Sequence, residues 1–184
     1  MRLTILFISL TSFCFGQDVI NLNDMAAKRV KSTLTYSVSD NTIDFKGIKH
    51  PDGYWVKFVG TYSRSLHVKN FNGGDIIYEG SITTNTSDKT LKFTDCKDFT
   101  INGEKAFLNG SGNNSGAMIW VTGKWQNCRL IGFTIDQKRN RLSGSTTGGP
   151  AVQFESYSDP AFSHGKLLIN GTVVRNANDE AFYI

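Results

Sequence analysis

One stretch of this chain gathers an acid and three cations within six positions: Asp136-Gln137-Lys138-Arg139-Asn140-Arg141. A carboxylate beside cations suits capture of a uronate sugar and lowers the pKa of an attacking base, as lyase chemistry requires. The same run also suits a solvated turn. Asp179 and Glu180 form the adjacent carboxylate pair. Such a pair suits Ca²⁺ or an acid and base division of labour. Neighbours in a strand point to opposite faces, so the pair needs a turn to converge. Trp55, Trp125 and Tyr157, with Tyr54, offer flat faces for sugar stacking. Aromatics of this kind also fill cores.

Other chemistries find no support. His50, His67 and His164 lack metal-ligand spacing, and no metal site is expected. The glycine-rich stretches match neither a phosphate loop nor a nucleotide fingerprint, and no Gly-x-Ser-x-Gly elbow is present. The formal charge is +4, without a dense Lys/Arg stripe, so nucleic acid is not an expected partner. No cofactor is implied beyond the Ca²⁺ that paired carboxylates would suit.

These residues need elements to hold them, and the composition favours short strands. Eighteen Gly, three Pro and thirteen Phe, with frequent Asn, Thr and Ser, fit strands joined by turns. Internal similarity runs through the chain. Leu66-His-Val-Lys-Asn-Phe71 aligns with Leu91-Lys-Phe-Thr-Asp-Cys96 at 91 − 66 = 25 residues. Val121 to Cys128 and Leu167 to Thr172 are looser members, and Phe99-Thr-Ile-Asn102 matches Phe133-Thr-Ile-Asp136 at 133 − 99 = 34. Apolar residues at alternate positions give the strand period of two. Repeats of this length, stacked, bury a face that one repeat alone leaves open. Asn70, Asp95 and Asn127 are then expected to form one ladder at a shared turn. Cys96 and Cys128 would follow it on adjacent repeats, within bridging range of a disulfide or as free core fillers.

The N-terminus reads as a leader. A basic start at Arg2, an apolar run from Ile5 to Phe15 and Cys14-Phe15-Gly16 before Gln17 fit a secretory signal over residues 1–16. Phe13 before Cys14 argues against lipid attachment. Cleavage removes Arg2 and leaves 20 − 1 = 19 basic against 16 acidic residues, or +3. The run is too short to span a bilayer, and no other transmembrane candidate exists. The expected location is secreted, periplasmic or at the cell surface. Residues 17–44 read as a capping segment, through a helix after Asn23-Asp24 or a strand at Thr33 to Val38. Residues 45–184 read as the repeats. Phe182-Tyr-Ile184 ends inside an apolar strand, so the chain reads as the N-terminal part of a longer protein.

The order from Tyr54 to Gly103 resembles the opening coils of secreted bacterial right-handed parallel β-helix proteins, the pectate-lyase-like superfold. The matching tracts are Leu66-His-Val-Lys-Asn-Phe-Asn-Gly-Gly, Leu91-Lys-Phe-Thr-Asp-Cys and Phe99-Thr-Ile-Asn-Gly, with the ending Val173-Val-Arg-Asn-Ala-Asn-Asp-Glu-Ala-Phe-Tyr-Ile. The likeness covers residues 45–184. It implies an all-β solenoid and a polysaccharide partner, acidic or neutral. The parent would be a lyase or hydrolase; the alternative is a non-catalytic structural or adhesive surface module. The superfold's hydrolase pattern requires Asn-Thr-Asp, Asp-Asp, Gly-His-Gly and Arg-Ile-Lys. Only Ser163-His164-Gly165-Lys166 approaches it, without the first Gly, so no catalytic residue is carried over.

Overall fold

The computed structural model describes residues 17–22, 37–39, 41–50, 53–83, 90–110, 116–138, 148–159, 161–177 and 180–184. The leader, the helix expected after Asp24, and Arg139, Arg141 and Asp179 lie outside the described residues. Among the described residues fifteen strands, numbered along the chain, form two sheets.

The first sheet runs β1 (Gln17–Asn21), β4 (Trp55–Tyr62), β6 (Asn72–Thr83), β8 (Lys97–Asn109), β10 (Gln126–Ile131) and β13 (Leu167–Asn170). β11 (Thr134–Asp136) pairs with the second half of β8, and β14 (Val173–Arg175) pairs with β11. Every pairing in this sheet is parallel. The second sheet runs β2 (Ser37–Ser39), β3 (Thr42–Asp44), β5 (Leu66–Lys69), β7 (Leu91–Thr94), β9 (Ile119–Thr122), β12 (Val152–Phe154) and β15 (Phe182–Tyr183). It is parallel except for the β2–β3 pair, which is antiparallel. From β3 onward the chain passes back and forth between the sheets, with β10–β11 and β13–β14 each running on within the first, so lateral neighbours come from successive passes. Parallel neighbours cannot be joined by a hairpin, and each crossover here is a strand in the other sheet.

Alternation puts one face of every strand inside. Leu66 and Val68, Leu91 and Phe93, and Ile119 and Val121 are fully buried in the second sheet. The expected 25-residue alignment is observed, because Leu66 pairs with Leu91 and Val68 with Phe93. In the first sheet Val56, Ile76, Ile101 and Leu130 form one buried row across four strands.

Three expectations are corrected. Phe99 pairs with Cys128, and the strand that follows Phe133, β11, pairs with residues 107–109. The 34-residue match therefore compares two different positions of one pass. Leu167 belongs to the first sheet, and Val152–Phe154 takes the expected place beside Val121. The expected single ladder is two. Asn70 (φ 56) and Asp95 (φ 58) stand at the turn after β5 and β7, whereas Asp98 (φ 49) and Asn127 (φ 49) pair within the first sheet. Asn and Asp tolerate this left-handed backbone, which explains why both turns use them and look alike in sequence. Cys96 and Cys128 consequently do not coincide. Both are free and buried, and no disulfide joins them.

Candidate functional site

The register brings four outward side chains of the first sheet into line. Trp55 pairs with Asp75, Asp75 with Thr100, and Thr100 with Arg129. Each step is one interstrand spacing, so the row spans about 14 Å across β4, β6, β8 and β10. Asp75 and Arg129 are exposed, and Trp55 and Thr100 are half-buried. Beside the row lies a groove of about 490 Å³, lined by Asp75, Asp98, Thr100, Asn127, Arg129 and Lys166.

The groove wall is held by hydrogen bonds. Asn127 Nδ2 donates to Asp98 Oδ1 at 2.6 Å, and the Lys166 N–H donates to Asn127 Oδ1 at 3.0 Å. Gly165 sits at φ 73, where a Cβ would strike Asn127 Oδ1, so glycine is required for this approach. Asp98 and Asn127 are thus committed to the wall. The side chains of Asp75, Arg129 and Lys166 are not: among the described residues the ion pairs are Lys57 and Lys105 with Glu79. An aromatic face, a carboxylate, a hydroxyl and a guanidinium stand in sequence on a rigid surface. Groups of these kinds can accept from, donate to and stack on a ligand rich in hydroxyls.

The other expected site residues are scattered. Trp55 joins the row, with Lys57 Nζ 5.6 Å from its ring centroid. Trp125 is 5% exposed and is a core residue, so it is no stacking platform. Its Nε1 donates to the Glu155 carbonyl at 2.9 Å, and its ring stacks on His164 at 4.3 Å. Tyr157 is exposed on the segment after β12, with Lys124 Nζ 4.9 Å from its ring centroid. His164 is a structural residue. Its Nδ1 lies 2.9 Å from the Trp125 carbonyl, and its Nε2 accepts the Tyr157 N–H at 3.0 Å. The Ser163-His164-Gly165-Lys166 tract is accordingly a turn against Trp125 and Asn127.

Asp136 Oδ1 accepts the Lys138 N–H at 2.8 Å and Asn176 Nδ2 at 3.0 Å. It organises the turn after β11, where Lys138 adopts φ 54. Arg175, not anticipated in the sequence, pairs with it across β14. Glu180 is exposed, and its carbonyl accepts the Ala151 N–H. No group of three His, Cys, Asp or Glu suited to a metal occurs among the described residues. Burial pushes the Cys96 thiol up to about 12 and raises Cys128 as well, so both are neutral and poor nucleophiles.

The outer face of the second sheet carries a different row. His67 pairs with Lys92, Lys92 with Trp120, and Trp120 with Gln153. Lys92 Nζ lies 4.4 Å from the Trp120 ring centroid, and His67 Nε2 is 2.8 Å from Thr94 Oγ1. Burial, with Lys92 and Lys69 nearby, lowers the His67 pKa to about 4. Trp120 could have been placed outward from the Ile119-Trp-Val-Thr alternation alone.

No family model matches the chain, and no match is found among curated proteins or solved structures. No helix among the described residues is long and apolar enough to cross a membrane.

Proposed function

We propose that this chain is an exported right-handed parallel β-helix that binds polysaccharide along the row Trp55–Asp75–Thr100–Arg129. The row is the observation that carries this reading. It is extended, open and mixed in chemistry, which suits a chain of sugars better than a small enclosed ligand. The indole supplies an apolar face, and the polar members pair with ring hydroxyls. The passage of the chain between two largely parallel sheets supports the β-helix, and crossovers between parallel strands are right-handed in nearly all proteins. Export rests on the leader over residues 1–16.

The reading is one of binding, whether in a lyase or hydrolase or in a non-catalytic structural or adhesive module. A screen of immobilised neutral and acidic glycans tests it, with Trp55→Ala and Arg129→Gln beside the parent chain. At least one glycan is expected to bind. Loss of one stacking face, ~1.4 kcal/mol, weakens it about tenfold. Silence across the screen, or binding that both variants retain in full, refutes the proposal.

A further inference from the structure

A second groove, of about 330 Å³, opens beside the first along the same strands. Its lining includes Gly47, Lys49, Asn70, Asn72, Asp95 and Lys97. Asn72 is central. It pairs with Lys97 on one side, and on the other its carbonyl accepts the His50 N–H at 2.9 Å, which places Lys49 next to it. Lys49, Asn72 and Lys97 thus line one groove together.

These donors are uncommitted, whereas the local acids are engaged. Among the described residues neither Lys49 nor Lys97 forms an ion pair, and the Asn72 side chain makes no hydrogen bond. Asp95 Oδ1 accepts the Lys124 N–H at 2.8 Å. Asp44 Oδ1 accepts Asn70 Nδ2 at 2.7 Å and the Lys46 N–H at 2.9 Å. Both carboxylates are thus held by amide donors instead of by the ammonium groups. At Gly47, which adopts φ +79, a Cβ would meet nothing within 4 Å, so the groove is open there.

We infer that this second groove is an oxyanion site for a phosphate or sulfate ester. Two ammonium groups and a carboxamide N–H match an anion with several strong acceptor oxygens. The lining sets two lysines against one aspartate, Asp95, and a neutral sugar would make no use of that positive excess, while a carboxylate offers fewer acceptor oxygens. The inference is independent of what occupies the first groove.

The test is a calorimetric and NMR titration of the full chain with inorganic phosphate, sulfate and acetate at constant ionic strength. Saturable binding of phosphate or sulfate is expected, with shifts centred on the Asn72 and Lys97 amides; the tighter of the two identifies the ester. Acetate should bind at least tenfold more weakly. Lys49→Gln with Lys97→Gln should weaken the oxyanion at least tenfold, while Lys97→Arg keeps binding and reports that the fold is intact. Lys105→Gln removes one positive charge away from the groove and should change nothing. Equal, non-saturating responses to all three salts would overturn the inference. So would unchanged binding in the double variant, or equal losses in Lys105→Gln.

Discussion

The middle and the last members of one buried row behave differently. Ile76, Ile101 and Leu130 are sealed from solvent, whereas Ile169, next in the same row, is only half-buried. Two parallel rows repeat the contrast. Leu108 and Ile135 are sealed but Val174 is half-buried, and Leu91, Ile119 and Val152 are sealed but Phe182 is 37% exposed. The side chains are similar and point the same way. What differs is the neighbour on the far side. Burial here is deepest where a strand has a paired neighbour on both sides.

Substitutions at the two kinds of position sharpen that contrast. Phe93→Ala, in the middle of the second sheet, should cost about 3–5 kcal/mol in chemical denaturation, because the cavity cannot collapse between strands. Asn127→Ala should cost about 2 kcal/mol. It forces alanine into φ 49 and removes the bonds to Asp98 and to the Lys166 N–H. Ile169→Ala should cost least, about 1 kcal/mol, since a half-buried side chain gives up less apolar surface. A loss at Ile169 as large as that at Phe93 would break the nearest-neighbour picture.

Acid separates the two sheets in another way. His67 on the second sheet is held at about 4, below the ordinary 6.5 of histidine. The unfolded chain therefore takes up a proton that the folded chain refuses as pH falls below 6.5. Stability should drop between pH 6.5 and 4 and level off below that. His67→Gln should flatten this part of the pH profile, measured by thermal unfolding across the range. An unchanged slope in the variant would assign the acid sensitivity elsewhere.

The strand alternation and the pairing of Leu66 with Leu91 were legible in the sequence, because the two segments differ by one loop of ordinary length. The later alignments failed for a physical reason. Both left-handed turns select Asn or Asp, so the tract ending at Asn127 resembles the one ending at Asp95 although they sit at different turns. The outward row from Trp55 to Arg129 was hidden by unequal spacing: 75 − 55 = 20, 100 − 75 = 25 and 129 − 100 = 29 residues. Loop lengths vary between passes while the register does not. Asp75 and Arg129, read singly, look like ordinary solvated charges. Trp55 was legible as an aromatic candidate, whereas Trp125 was separated from it only by burial.

The most direct test measures affinity against oligosaccharide length, using the glycan that binds best in the screen. If the ligand lies across the strands, affinity should rise with each sugar until the roughly 14 Å row is filled, and then level off. Arg129→Gln should weaken only oligosaccharides long enough to reach from Trp55 to Arg129. Affinity already complete with a monosaccharide, or an Arg129→Gln effect equal at every length, would contradict a site built along that row.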